Sequence, residues 1–280
     1  MCIRDRNVFN IAIDGNFDDC QNIVKQMFSD LEFSKSINMS GVNSINWARI
    51  IAQAVYYFYA HFKLDKDNTS FSVPTGNFGD VFAGYLAKKM GLPIDKLIVA
   101  TNDNDILHRA ITKGDYTSKE VTETLSPSMD IQLASNFERL IYYVNNSNCE
   151  KTAEIMKKVK QNSYQIEKRD LDIIQKDFLS ESCNEKETLG IIKKNYEEKG
   201  VVLDPHTAIG VGAAQKLSLN DCVVLSTAHP CKFPDATNNA INKHEKLPKE
   251  LQHVLNKNEN FQVLKNTTDE VKKFIKSKIL

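Results

Sequence analysis

Three short polar constellations in this chain combine residue types and spacings that can do chemistry. The first is Pro74-Thr-Gly-Asn-Phe-Gly-Asp80, with an apolar run before it and helix-spaced residues after it. A glycine-bearing loop that opens straight into a helix can cradle an anion. Its glycines let backbone N–H groups approach a phosphate without a Cβ in the way, and the helix start adds unsatisfied donors and a positive dipole end. Gly-Asn turns also begin ordinary helices. The loop carries neither the Lys-Ser/Thr of a P-loop nor GxGxxG spacing.

The second constellation is Gly41-Val-Asn43-Ser44-Ile-Asn46-Trp-Ala-Arg49, at the entry of an apolar helix. Asn43, Ser44 or Asn46 can serve as a cap. Arg49 precedes Ile50 and Ile51 on a helix read as mostly buried, where an unpaired guanidinium would be costly. It is therefore expected to meet an anion, either a structural carboxylate or a bound phosphate. The third pairs Leu203-Asp-Pro-His-Thr-Ala208 with Leu225-Ser-Thr-Ala-His-Pro230, both placed after strand-like runs. Ligands of parallel sheets bind beyond the carboxyl ends of strands. Asp204, His206, Thr227 and His229 invite a hydroxyl–histidine–aspartate hydrolase reading. Against it, no Gly-x-Ser-x-Gly elbow is present, and the same side chains can cap helices.

The elements that position these residues follow from periodicity. Val8 to Ile13 reads as a strand ending at Asp14-Gly15, with a helix after it whose first turn holds Asp18 and Asp19. Asp14-x-Asn16-x-Asp18 is not a calcium loop, because glycine is missing at the sixth position and Lys25 stands where a glutamate is required. Trp47 to Phe62 predicts a helix apolar nearly all round and buried against a sheet. Phe71 to Val73 and Lys96 to Ala100 predict strands on either side of a helix from Phe78 to Met90. Further strands are expected at Val201 to Leu203, Cys222 to Leu225 and Phe261 to Leu264, with a basic, peripheral helix at the C-terminal end. Strands alternating with helices indicate an α/β class with a parallel sheet covered by helices. Residues 147–200 are rich in lysine and glutamate and predict a charged helical insertion without chemistry, between a portion at 7–146 and a return to the same domain at 201–280.

The chain has 280 residues, 41% of them hydrophobic, and a formal charge of zero from 36 basic and 36 acidic side chains. That composition predicts a globular protein. Broad nucleic-acid binding, which needs clustered cations, is not expected. The longest apolar run, Ile50 to Ala60, is too short to cross a bilayer. Met1 to Arg6 has no apolar stretch and no small-residue cleavage site, so the cytoplasm is the expected compartment. Six cysteines without a CxxC pair or a histidine at ligand spacing argue against a metal site and a disulfide framework, and are expected to be buried or inert.

Seven segments, in order, resemble the threonine synthases, pyridoxal-phosphate enzymes of the tryptophan-synthase-β fold type (fold type II). They are Asp14-Gly-Asn-Phe-Asp-Asp-Cys-Gln21, Asn43-Ser-Ile-Asn46 with Arg49, and Val73 to Asp80. Then come Asn102-Asp-Asn-Asp-Ile106, Ser126-Pro-Ser-Met-Asp-Ile131 with Ser135-Asn-Phe-Glu-Arg139, Asp204-Pro-His-Thr207 and Ser226-Thr-Ala-His-Pro230. The resemblance implies that Gly76, Asn77, Phe78, Gly79 and Asp80 wrap the phosphate of pyridoxal 5'-phosphate and that Thr227 faces its pyridine nitrogen. A neutral hydroxyl there would leave the nitrogen less protonated. Asn43, Ser44, Arg49 and Asn77 match the positions that grip the phosphate of O-phosphohomoserine.

The implied reaction is a β,γ-replacement. Protons leave Cα and Cβ, phosphate departs from Cγ, and water adds at Cβ to give threonine. The family's Schiff-base lysine lies in a Phe-Lys-Asp context before the first matched segment, and Lys176-Asp-Phe178, in the charged stretch, is no substitute. Residues 1–6 do not resemble the family. The resemblance therefore implies a C-terminal portion that lacks the lysine and is inactive by itself. A phospholyase yielding a keto acid from the same substrate and a non-catalytic homologue are the alternatives.

Overall fold

A computed structural model describes residues 8–15, 17–161, 164–219, 221–254 and 257–279. The strands are β1 (Ile11–Ile13), β2 (Thr69–Pro74), β3 (Ile94–Thr101), β4 (Phe178–Ser182), β5 (Cys222–Val224) and β6 (Gln262–Leu264). The α-helices are α1 (Phe17–Ser29), α2 (Leu31–Ser36), α3 (Trp47–Leu64), α4 (Gly79–Lys89), α5 (Ile106–Lys113), α6 (Phe137–Val144), α7 (Cys149–Lys160), α8 (Lys168–Asp177), α9 (Glu185–Lys199), α10 (Pro205–Lys216), α11 (Pro234–Ile241) and α12 (Thr268–Ile279). They form two units, one from residues 42–246 and a smaller one from 1–41 with 247–280. Among the described residues no helix is long and apolar enough to cross a membrane.

In the smaller unit β1 and β6 run parallel, with Ile11 opposite Gln262. Ile23, Met27, Phe33 and Val271 form its buried cluster. Asp30 caps α2 by accepting from Phe33 N–H at 3.0 Å, and Lys272 donates to the same carboxylate at 2.6 Å. The last strand and the peripheral final helix thus stand where periodicity put them, the helix burying only Val271. Residues 1–6, Asn16 and the side chain of Asp18 lie outside the described residues.

In the larger unit the sheet order is β4-β3-β2-β5, every pair parallel. Buried on both faces, its two central strands carry near-continuous apolar or small residues, as two-sided burial demands. Helix α4 packs against β3 and is buried from Val81 to Ala87. A Cβ on Gly84 would meet the Tyr57 ring at 2.5 Å, which is why α3 can cross α4 so closely. The Tyr57 hydroxyl lies 2.8 Å from the carbonyl oxygen of Asp80 and 3.2 Å from its Oδ1.

Three sequence expectations change. α3 buries one stripe, Ile50, Ala54, Tyr57 and His61, while Val55, Tyr59 and Phe62 on other faces stay exposed. An apolar count shows that a helix can be buried, but not how many of its faces have a neighbour. Residues 147–200 are no insertion, because β4 lies within them and pairs with β3 through Leu97 and Phe178. Its sequence Phe-Leu-Ser-Glu-Ser is too polar to read as an inner strand, and it occupies the sheet edge. Finally, Val201 to Leu203 is no strand but a lead into the cap of α10.

Candidate functional site

The loop after β2 runs from Thr75 to Phe78 and ends on a backbone that only its position explains. Phe78 precedes α4 at φ 63°, a left-handed conformation unusual for an aromatic residue, and no side chain caps the helix. The ring is held by packing, edge-on against Phe137 at 5.1 Å and tilted on Phe178 at 5.7 Å. With no side-chain acceptor in place, the first N–H groups of α4 point outward, a ready anion site. Gly76 is equally constrained, since a Cβ there would sit 2.5 Å from the carbonyl oxygen of Ser128.

Asn136 ties this loop to the second constellation. Its Nδ2 donates to Ser44 O at 2.9 Å and to Asn77 O at 3.1 Å, and its N–H also donates to Asn77 O at 3.1 Å. Arg139 braces the arrangement through Nε to Asn136 Oδ1 at 3.1 Å and Nη2 to Ile45 O at 2.8 Å, its guanidinium 5.3 Å from the Trp47 ring centre. Asn46 caps α3 through Ala48 N–H at 2.8 Å, while the Asn43 side chain accepts from Ile45 N–H at 3.1 Å. The structure thus brings Ser44 and Asn77 to a common brace. Arg49, in contrast, is exposed on the first turn of α3. The burial argument for its anionic partner does not hold, because the stripe that packs begins one residue later, at Ile50.

Asp80 stands in the first turn of α4, where its carboxyl is turned to Tyr57. Burial pushes its pKa up to about 6, against a smaller lowering by the Tyr57 hydroxyl. The same burial, with Asp80 beside it, raises Tyr57 well above the usual phenol range.

The third constellation meets the loop because β5 lies beside β2. Ser72 is opposite Val224, and Leu225 N–H donates to Ser72 O at 3.0 Å, so Ser226 to His229 leave the sheet at the end where the loop begins. Asp204, buried, caps α10 by accepting from the N–H groups of His206 at 3.0 Å and Thr207 at 3.3 Å. It also takes the hydroxyls of Thr207 and, at 3.1 Å, Thr227. Burial raises its pKa, yet the hydrogen bonds from His206 and Thr207 outweigh that, so the carboxyl titrates below its ordinary value. His206 Nδ1 is 3.1 Å from Asp204 Oδ1, and its Nε2 accepts from Ser128 N–H at 3.4 Å, which places the ring proton on Nδ1.

A continuous line of contacts therefore runs from Gly76 through Ser128, His206 and Asp204 to Thr227. An open cavity of about 410 Å³ beside it is lined by Asp204, Thr207, Ser226 and His229 among others. The hydrolase reading fails on this geometry. Thr227 donates to the aspartate itself, the outer nitrogen of His206 is occupied by a backbone N–H, and His229 accepts from Cys231 N–H at 3.2 Å as a local cap.

The remaining segments singled out in the sequence support the loop. Asn102 Nδ2 lies within 2.9 Å of Thr124 Oγ1 and Ser126 Oγ and 2.7 Å from Asp130 Oδ1, while Asn104 Nδ2 reaches Asp130 at 3.0 Å. This network fixes the turn that presents Ser128 to Gly76. The bracing roles of Asn136 and Ser128 escaped the sequence reading, which did offer Asp204 as a helix cap. Their signal lay in the matched segments, but the partners are 59 residues apart for Asn136 and Asn77 and 78 for His206 and Ser128. Lys176 precedes β4 and so stands at the amino end of the sheet, away from the loop. Of the cysteines, Cys183 is buried and pushed up to about 11 by that burial, whereas Cys149 is exposed.

Comparison with known proteins gives a consistent picture. Residues 207–275 match the family described as "Threonine synthase, C-terminal". The chain is 46% identical to the threonine synthase of Pseudomonas aeruginosa over 96% of its own length and 59% of that protein's. It is 46% identical to the threonine synthase of Saccharomyces cerevisiae over 89% of this chain and 55% of that one. The crystal structure of a PLP-bound threonine synthase from Brucella melitensis superposes with a TM-score of 0.92 at 46% identity, covering 98% of this chain and 60% of that one. The chain thus spans somewhat over half the length of each of these relatives.

Proposed function

From the premise that this chain belongs to the threonine synthase family, we propose that it forms the part of such an enzyme that holds pyridoxal 5'-phosphate and O-phospho-L-homoserine. The whole protein would convert O-phosphohomoserine and water to L-threonine and phosphate. The observation that carries this reading is the uncapped start of α4 behind Gly76, joined to Thr227 by the line of contacts through Ser128, His206 and Asp204.

The residues fit the cofactor. Gly76 leaves no room for a side chain between the loop and Ser128, so the backbone itself faces the ligand. Gly76, Asn77, Phe78, Gly79 and Asp80 would supply N–H groups to the cofactor phosphate, with the dipole of α4 adding to the attraction. Thr227 would meet the pyridine nitrogen. The cofactor supplies, when bound, an electron sink for negative charge developing on the substrate carbons.

The chain's own part is binding and orientation. Asn43, Ser44, Arg49 and Asn77 would grip the substrate phosphate. An exposed Arg49, whose charge is not spent on a buried carboxylate, is suited to a mobile phosphate ester. Asn136 keeps the Ser44 and Asn77 segments at a fixed separation, so both phosphates would be held in one frame. A location in the cytoplasm accords with a small, charged, phosphorylated substrate.

The test is a titration of the chain with pyridoxal 5'-phosphate and with pyridoxal, followed through the fluorescence of Trp47. Binding that requires the phosphate and is displaced by inorganic phosphate is the expected result. Equal affinity for both compounds would refute the phosphate-loop assignment. In a full-length protein, threonine as product separates the synthase from a keto-acid-forming phospholyase.

A further inference from the structure

Asn136 stands at the start of α6, where an asparagine ordinarily caps its own helix through the side-chain oxygen, yet it makes no such bond. The oxygen is given to Arg139 instead. Nε of that residue donates to Asn136 Oδ1 at 3.1 Å, while the amide nitrogen donates to Ser44 O at 2.9 Å and Asn77 O at 3.1 Å. These contacts leave the amide one orientation. A guanidinium N–H only donates and a carbonyl oxygen only accepts, so a flipped amide would set oxygen against two oxygens and N–H against N–H, in a side chain that is fully buried.

Arg139 does this with one part of its fork and uses another for the neighbouring turn. Its Nη2 crosses to Ile45 O at 2.8 Å, and its guanidinium lies 5.3 Å from the Trp47 ring centre. One planar group therefore orients the amide and holds the turn beside Ser44 at the same time.

The two sides of this brace are held differently. Asn77 O also accepts the backbone N–H of Asn136 at 3.1 Å, a bond that no change of side chain removes. The turn at 43–46 is reached from the start of α6 by two side-chain donors, Asn136 Nδ2 and Arg139 Nη2, and among the described residues by no backbone bond. Loss of the arginine fork would release the Ser44 side first.

We propose that Arg139 is a positioning residue for the substrate phosphate: by orienting the Asn136 amide and holding Ile45 O, it sets the separation of Ser44 and Asn77 so that both can grip one phosphate ester. This rests on the proposed placement of Asn43, Ser44, Arg49 and Asn77 around that ester. Small displacements of groups that must converge on one ligand are costly even when they arise from a residue outside the contact. The cofactor phosphate is less exposed to the change, because its loop keeps the backbone bond from Asn136 to Asn77 O.

The experiment is calorimetry on the full chain holding pyridoxine 5'-phosphate, whose alcohol cannot condense with an amine, titrated with O-phosphohomoserine and with homoserine. Arg139→Lys keeps the charge without the planar fork, and Arg139→Gln keeps a donor without the charge. Both should weaken O-phosphohomoserine binding ~tenfold or more, while pyridoxine 5'-phosphate binding, which also shows that each variant is folded, changes by about threefold or less. In an Asn136→Ala background Arg139→Lys should cost only about threefold or less, because the amide it orients is gone.

If Arg139→Lys binds O-phosphohomoserine within about twofold of the unaltered chain, the residue supplies charge alone and the inference is overturned, while the site assignment stands. Equal loss of cofactor analogue and substrate would overturn it too, since that marks a general loosening of the fold. An unaltered chain that does not prefer O-phosphohomoserine to homoserine would overturn the site assignment and the inference with it.

Discussion

Asp80 places a carboxyl where it is costly to ionise, and replacing it with asparagine should show by how much. Asparagine has nearly the same shape and can still accept from the Tyr57 hydroxyl, now 3.2 Å from Oδ1 and 2.8 Å from the backbone oxygen. What the substitution removes is the charge. The folded protein binds the Asp80 proton more tightly than the unfolded chain, with a value of about 6 against 3.8. Between those two values the native state holds more proton than the unfolded one, so stability falls as pH rises through this window and is flat above it. At about 1.4 kcal/mol for each tenfold in proton affinity the loss approaches ~3 kcal/mol, and the N-terminal dipole of α4 returns ~0.3–1 of that. Asp80→Asn should therefore be ~2 kcal/mol more stable than the unaltered chain at about pH 8 and equal to it at about pH 4. Urea unfolding followed by the single tryptophan, Trp47, measures this in the unit that contains Asp80. A variant no more stable at the higher pH, or a difference that does not change with pH, would refute the reasoning.

Gly76→Ala should drive a Cβ against Ser128 O, 2.5 Å away, costing ~1–3 kcal/mol and abolishing pyridoxal-phosphate binding in a fluorescence titration. Arg49→Ala should leave urea stability unchanged within about 0.5 kcal/mol, because the side chain is exposed, yet weaken O-phosphohomoserine binding by calorimetry ~tenfold or more. An equal loss for the cofactor would contradict its assignment. Asn136→Ala should free the Ser44 carbonyl and leave Asn77 O only the backbone N–H of residue 136, cost ~2 kcal/mol in unfolding, and loosen both ligands together.

The parallel α/β class and the turn from β2 into α4 were legible in the sequence because both rest on local patterns: apolar runs, a glycine-bearing break, helical spacing. The strand at Phe178 was not, since an edge strand buries less and its Ser-Glu-Ser tail reads as surface. Arg49 was misread because periodicity gives the angle between residues around a helix, but not which angle faces the core. Thr227 was named from resemblance and Asp204 from its place after an apolar run, but the bond between them belongs to neither segment alone. It exists because α10 packs on the sheet closely enough that a Cβ on Gly210 would meet Val224 at 2.9 Å.

The adjacency of β2 and β5 also governs how the site comes into being. Ser70 pairs with Cys222 across 152 residues of chain, counted as 222 minus 70, whereas β2 and β3 are joined through a single helix. Loop-closure entropy makes such distant pairings slow, and contacts of this range form late. The β2–α4–β3 segment, with its anion loop, can assemble early from local contacts. Thr227 joins the site only through β5, which lies at the edge of the sheet. A β2–α4–β3 segment formed ahead of β5 would be able to attract phosphate before it could discriminate what the phosphate is attached to, and a ligand anchored by its phosphate would favour that segment over its unfolded form.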